Sequence, residues 1–378
     1  MNALAAAVGV VQFLFTATWT LYVIYLPQLA ASAGIAREWV AWLLVADQLV
    51  FAAMDVVTGF WIDRVRAALG RIGGWMLAVA VLSCAAFVAL PYAGASAGVL
   101  LAAIAVWAIT SAALRSPPWA LLARYAPTPS IPWLSTLVLT GTALASALAP
   151  YLGIALRGVD ARLPFILSTL MLIATVLVLT LAERRLPPNP STEERAPRVP
   201  GTTLFAGLLV LALGVQVHFA LNSAPRYVEF APREQLPYLM PVFWIGFNLL
   251  MFPAARLVKR LGATDAMALA AALGGLAMLA AALAPDLGLL VTAQFLAGGS
   301  WGAASVAAYS AAVGLGRSGR EGRFLGTLFA VLALATAVRL AAAGSGMAQT
   351  HAFSVFQPWL PQTLWLCGAL LLLAGRLR

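Results

Sequence analysis

The chain has 378 residues, 62% of them hydrophobic and 10% charged, with a formal net charge of +10. A soluble domain carries roughly 25% charged residues and a disordered chain is poor in apolar side chains, so the composition excludes both. A nucleic-acid surface is excluded too, because Lys259 is the single lysine and no basic cluster is interleaved with exposed aromatics. A helix that crosses a bilayer needs about 20 apolar residues. Segments of that kind fall at 6–30, 39–61, 73–93, 98–121, 131–156, 162–182, 202–224, 236–256, 264–284, 287–313, 323–345 and 354–375. A β-barrel needs alternating polarity over about ten residues, and Ala266–Leu283 shows none. The first apolar run is longer than a signal peptide's core and lacks a basic flank, so it reads as a retained span. Cys84 and Cys367 lie in apolar segments far apart, which supports neither a disulfide framework nor a Cys-based metal site.

In chain order, span one places Gln12, Thr16 and Trp19 on one helical face, with Thr20 and Tyr22 nearby. Span two carries Asp47 and Asp55, and the segment Gly59–Arg71 (GFWIDRVRAALGR) reads as the loop that follows it. In span four, Trp107, Ser111, Arg115 and Trp119 recur every four residues, with Thr110 beside them. Arg115 therefore either lines a central cavity or is bonded internally, to carbonyls or to Asp55. Span five has a ridge of small residues, Gly141, Ala145, Ala149 and Gly153, with a bend at Pro150. Glu183–Pro200 (ERRLPPNPSTEERAPRVP) is rich in Pro and charge, as a linker should be. It divides the chain into 1–182, a linker 183–201, and 202–378.

Span seven brings Gln216, His218 and Asn222, with Arg226 at its end. His218 either titrates and relays protons or is an ordinary interhelical hydrogen-bonding residue. The segment after span eight, ARLVKRLG, repeats the basic character and Gly of the loop after span two, as an internal duplication predicts. The Gly298–Gly302 run of span ten reads as a packing or hinge element, not a phosphate loop. Span eleven carries Arg339, the fourth ionisable residue of fixed charge inside the spans after Asp47, Asp55 and Arg115.

Placing the N-terminus inside puts sixteen basic residues in the inner segments: Arg64, Arg66, Arg71, Arg124, Arg184, Arg185, Arg195, Arg198, Arg256, Lys259, Arg260, Arg317, Arg320, Arg323, Arg376 and Arg378. Five fall outside, Arg37, Arg157, Arg162, Arg226 and Arg233. That bias predicts cytoplasmic termini. The expected fold is an all-α membrane protein of twelve transmembrane helices in two pseudo-symmetric six-helix bundles, in a bacterial inner or plasma membrane. No enzyme constellation, cofactor, metal or nucleic-acid partner is expected; a small-molecule substrate, protons and the lipid bilayer are, for a monomeric chain.

The run Asp55-x3-Gly59-x3-Asp63-Arg64-x-Arg66-x3-Gly70-Arg71-x3-Trp75 resembles the loop motif of major facilitator superfamily transporters. Its spacing is similar to the melibiose-permease branch, the glycoside–pentoside–hexuronide:cation symporters. Pro117-Pro118-Trp119 and Gly319-Arg320-Glu321-Gly322 also resemble that branch. The resemblance implies that Gly59, Asp63, Arg64, Arg66 and Arg71 form an inner gate that latches in one state. It places spans two and eleven side by side, where Asp47 and Arg339 are expected to form an outer salt bridge. Departures matter as much. Positions for the branch's cation-binding carboxylates fall on Phe15 and Phe51, its span-eleven Lys falls on Ala333, and only Asp55 survives. Its acidic sugar-binding position falls on Arg115, while Trp119 keeps the place of the stacking aromatic. An arginine donates and favours carboxylate or phosphate. The expectation is a secondary active carrier of a small organic solute, anionic if Arg115 faces it, coupled to protons through Asp55 or Asp47. Residues Gln12, Thr16, Trp19, Tyr22, Trp107, Ser111, Arg115, Trp119, Gln216, His218 and Asn222 are its expected binding residues. A cation-coupled sugar symporter, a lysolipid carrier, a drug exporter and a non-transporting receptor or assembly factor are the alternatives.

Overall fold

Inside a bilayer every backbone N–H and C=O must bond within the chain, so apolar segments fold as helices. A computed structural model describes residues 1–69, 71–186, 201–317 and 319–375. The first bundle contains α1 (Asn2–Ser32), α2 (Trp39–Leu69), α3 (Gly73–Ala89), α4 (Ala97–Ala112), α5 (Pro117–Tyr125), α6 (Ile131–Ala155) and α7 (Arg162–Arg184). The second contains α8 (Gly201–Val217), α9 (Ser223–Val228), α10 (Leu236–Leu239), α11 (Pro241–Leu261), α12 (Ala263–Leu283), α13 (Leu287–Gly316), α14 (Glu321–Gly344), α15 (His351–Phe356) and α16 (Leu360–Ala374). Among the described residues, 11 helical stretches are long and apolar enough to cross a membrane, and α16 is a shorter twelfth.

Several expected spans are interrupted beside a proline. Pro117 and Pro118 have no N–H to give the carbonyls of Ala113 and Leu114, and Leu114 and Arg115 bond three residues back, to Ser111 and Ala112, instead of four. The fourth span therefore unwinds over residues 113–116 between α4 and α5. Pro225 likewise gives no N–H to the carbonyl of Leu221, and a π-helical turn at His218–Asn222 separates α8 from α9. The Leu221 carbonyl accepts instead from Gln357 Nε2 at 3.4 Å. Around Pro358 the last span, expected at 354–375, splits into α15 and α16.

Segments expected as loops are helical in part, among them residues 255–261 at the end of α11. No Pro or Gly lies between Phe60 and Leu69, so α2 runs on through Asp63 and Arg64 to Leu69. Glu183 belongs to α7 rather than to the linker, and its buried carboxylate accepts the N–H groups of Ile72 (3.0 Å) and Gly73 (2.6 Å). Arg71 adds to this junction by donating to the Arg184 carbonyl at 3.0 Å. Linker residues 187–200, Gly70 and the side chain of Arg66 lie outside the described residues.

The two bundles meet along α2–α14 and α6–α11. Small residues permit the first seam: a Cβ on Gly326 would overlap the Asp55 carbonyl, and one on Gly59 would overlap that of Gly322. The ring pairs Trp133–Phe252 and Tyr151–Tyr238, each at 5.8 Å, lie on the second seam. Gly141 of the expected small-residue ridge packs against Gly9 of α1, and Gly298 packs against Phe243 of α11; Gly153 faces open space.

On the side bearing the linker, polar contacts also join the bundles. Asp63 accepts the N–H groups of Gly322 (2.9 Å) and Arg323 (3.0 Å), unbonded donors at the start of α14. Arg323 lies over the Phe60 ring at 4.8 Å, and Arg317 donates to the Ala126 carbonyl at 3.0 Å. Arg64 is exposed. Asp63→Ala should lower stability by about 1.5–3 kcal/mol, the scale of a hydrogen bond to a charged group, and Asp63→Asn by less, since its amide oxygen still accepts. Thermal unfolding of purified protein in detergent measures this, and an unchanged Tm for Asp63→Ala would refute it.

Candidate functional site

The unwound turn before Pro117 decides where the central charge lies. It turns Arg115 into a cavity of about 310 Å³ between the two bundles. The Arg115 carbonyl accepts from Gln12 Nε2 at 3.4 Å. The guanidinium meets the Asp55 carboxylate at 3.2 Å. The rings of Phe51 and Phe329, from α2 and α14, lie 5.2 and 5.1 Å from its central carbon. A cation over aromatic faces gains electrostatic attraction, more when desolvated. Asp55 is 0% exposed.

The rest of the wall is aromatic with scattered hydroxyls and amides. From α1 come Gln12, Phe15, Thr16 and Trp19, from α2 Gln48, and from α4 Trp107 and Ser111. The second bundle contributes Tyr309 of α13 and Phe329, Leu332 and Thr336 of α14. Trp19 and Trp107 stack at 6.2 Å, and Trp19 meets Phe51 edge-on at 5.3 Å. Gln12, Thr16, Trp19, Trp107, Ser111 and Arg115 thus lie together in one wall.

Trp119 does not line it. Four-residue spacing holds only along an unbroken helix, and the turn at 113–116 rotates Trp119 out of the Trp107–Ser111 face. It is buried and stacked on Tyr309 at 4.0 Å. Tyr22 is buried behind the wall, and its hydroxyl donates to Asp47 at 2.7 Å.

Asp47 and Arg339 are not paired in this structure. Arg339 Nε donates to Gln216 Oε1 at 2.8 Å, and Gln216 Nε2 donates to the cavity residue Thr336 at 3.1 Å. Each of the two charges has instead a neutral polar partner on another helix: for Asp47 the Tyr22 phenol of α1, for Arg339 the Gln216 amide of α8.

His218 and Asn222 are also outside the central cavity. The π turn carries them to a second cavity of about 150 Å³ inside the second bundle, with Gln294, Gln357, Arg226 and Glu229. His218 Nε2 lies 3.0 Å from Gln294 Oε1, Gln294 donates to Ser223 Oγ at 2.9 Å, and Ser223 donates to the His218 carbonyl at 2.9 Å. Asn222 and Gln357 bond reciprocally at 3.0 Å. These are closed polar networks that satisfy one another.

The sequence reading passed over Gln48, Tyr309, Phe329 and Thr336. A signal existed for the last two: Phe329, Leu332 and Thr336 follow helical spacing on a span that also carries Arg339. Among the described residues, no three His, Cys, Asp or Glu gather as a metal site would require.

Because Asp47 and Arg339 share no partner, the stability changes of Asp47→Asn and Arg339→Gln should add to within about 0.5 kcal/mol. Gln216→Ala and Arg339→Gln should couple, since they break one contact. Double-mutant cycles on thermal unfolding separate the two cases, and strong coupling between Asp47 and Arg339 would sink the assignment.

The sequence profile of the Major Facilitator Superfamily matches residues 8–338. No curated protein matches the chain. Among solved structures, the human organic anion transporter MFSD10 (TETRAN) is similar, with a TM-score of 0.76, 18% identity and 98% of each chain covered. A bacterial homologue of the iron transporter ferroportin in its outward-facing state has a TM-score of 0.76 and 12% identity, covering 99% of this chain and 100% of that one. The E. coli fucose:proton symporter FucP has a TM-score of 0.69, 14% identity and 97% of each chain covered. At such identities the likeness is one of fold.

Proposed function

This chain belongs to the Major Facilitator Superfamily, and from that premise we propose that it is a secondary active transporter of a small organic anion, coupled to protons. The observation that carries this reading is Arg115, a guanidinium in the wall of a cavity that both bundles line. Two bundles sharing one midplane site can expose it alternately to either side. Arginine recognises carboxylate or phosphate through paired N–H groups, and the surrounding rings suit an apolar or aromatic body.

Of the proposed inner-gate residues Gly59, Asp63, Arg64, Arg66 and Arg71, the reading is supported for Asp63 and Gly59, which meet the second bundle beside the contacts of Arg317 and Arg323 and do so through backbone groups that a rotation can release. Units 1–182 and 202–378 are proposed as the moving bundles, joined by linker 183–201. The basic bias of the linker side supports a cytoplasmic position for it and for both termini, in a chain proposed to lie in a bacterial inner or plasma membrane. Asp55 and Asp47 are the candidate carriers of the coupling proton, and the chain is proposed to act as a monomer.

The melibiose-permease likeness of the loop motif is the basis for the rival sugar symporter. Two observations weigh against it. Trp119 is stacked beneath Tyr309 instead of facing a ring in the cavity. Phe51, which replaces a carboxylate of that branch's cation site, holds the Arg115 guanidinium against Asp55. A resident cation thus occupies the place where an exchangeable one would sit.

Uptake into proteoliposomes under an inside-alkaline pH gradient tests the proposal with organic anions, neutral sugars, lysolipids and cationic drugs. Anions alone should accumulate, and a protonophore should abolish it. Arg115→Gln combined with Asp55→Asn, which leaves no unpaired buried charge, should reduce accumulation to background while the protein still folds. Accumulation of sugars alone would overturn the anion reading, and neither uptake nor counterflow for any solute would favour a receptor.

A further inference from the structure

The two members of the central ion pair are not equally accessible. The Arg115 side chain is 21% exposed to the cavity, whereas that of Asp55 is 0% exposed. Neither Asp55 oxygen has a hydrogen bond of good geometry, so the contact with Arg115 is what holds its charge. The surfaces packed around it offer little else. The α14 helix presents Gly326, Ala330 and Ala333, and α4 presents Ala108 and Ala112. The charged and titratable groups that face Asp55 are Arg115 and, from α13, Tyr309. Among the described residues, no second cation faces Asp55 in place of Arg115.

We infer that the carboxylate of a bound solute takes Arg115 away from Asp55, and that Asp55 takes up one proton as it is displaced. This rests on the anion reading above and adds its stoichiometry. Before exchange, guanidinium and Asp55 carboxylate sum to zero charge. After it, guanidinium and solute carboxylate sum to zero, and Asp55 is a neutral acid. Its new O–H bond forms with a proton from the solution that supplied the solute, and no bond of the solute breaks. The proton is required because a buried carboxylate stripped of its partner costs more than one new ion contact returns. Solute and proton therefore bind together as an electrically neutral pair. The aromatic wall of Phe15, Trp19, Phe51, Trp107 and Phe329 selects a single carboxylate on an apolar or aromatic body.

The test uses full-length protein in nanodiscs with benzoate, phenylacetate and 2-naphthoate, each against its uncharged amide. Titration calorimetry in buffers of different ionisation enthalpy counts protons taken up per solute. Carboxylates should bind and amides should not. About one proton should accompany each carboxylate, and affinity should fall about tenfold per pH unit as pH rises. In Asp55→Asn the carboxylate should still bind, with no proton uptake and a flat pH profile. Zero uptake in the unaltered protein, or undiminished uptake in Asp55→Asn, would overturn the exchange and leave the anion reading standing. If no carboxylate binds, or amides bind equally, both fall. Should Asp55→Asn fail to fold, the proton count and pH slope of the unaltered protein decide the matter alone.

Discussion

A carboxylate with no access to solvent and a guanidinium at a cavity wall hold each other in the middle of this protein, and much of the architecture serves that contact. Asp55 is positioned by the tight α2–α14 seam, where Gly326 lets the helix backbones approach. Arg115 is positioned by the break before Pro117, which swings it out of the α4–α5 axis and exposes its carbonyl to Gln12. Phe51 and Phe329 flank the cation from opposite bundles. One ion pair thus reports on both bundles at once. That is the property a site needs if binding is to be felt by the whole molecule.

Three other interior polar side chains are satisfied locally. Asp47 is held by Tyr22, Arg339 by Gln216, and His218 by the Gln294–Ser223 circuit around the π turn. Such closure follows from the medium, since an unsatisfied group in the membrane costs several kcal/mol. The linker-side links are of another kind. Asp63 binds free N–H groups at a helix start, and Arg317 binds a free carbonyl. Contacts with backbone groups at element ends can be released without repacking a core.

How much was legible follows from what each inference needed. Span number and length need only hydropathy, and they are local. The grouping of Gln12, Thr16 and Trp19 in one wall, and of Trp107 with Ser111 beside them, follows from spacing along unbroken helices. Trp119 escaped because the same spacing was carried through Pro117, where the helix unwinds. His218 and Asn222 escaped because a π turn shifts the face of the seventh span. The loop after span two was misjudged because its charges look like loop chemistry, although nothing between Phe60 and Leu69 stops a helix.

Composition, apolar run length and the placement of arginines were enough by themselves to determine an all-helical membrane chain with interior charges. These properties depend on transfer between water and lipid, which each segment satisfies alone. Which charges meet was decided only by tertiary structure. Asp55 with Arg115, rather than Asp47 with Arg339, is a matter of ångströms between helices distant in the chain. Such distances are set by glycine seams, proline breaks and the hydrogen-bonding demand of every other buried group together.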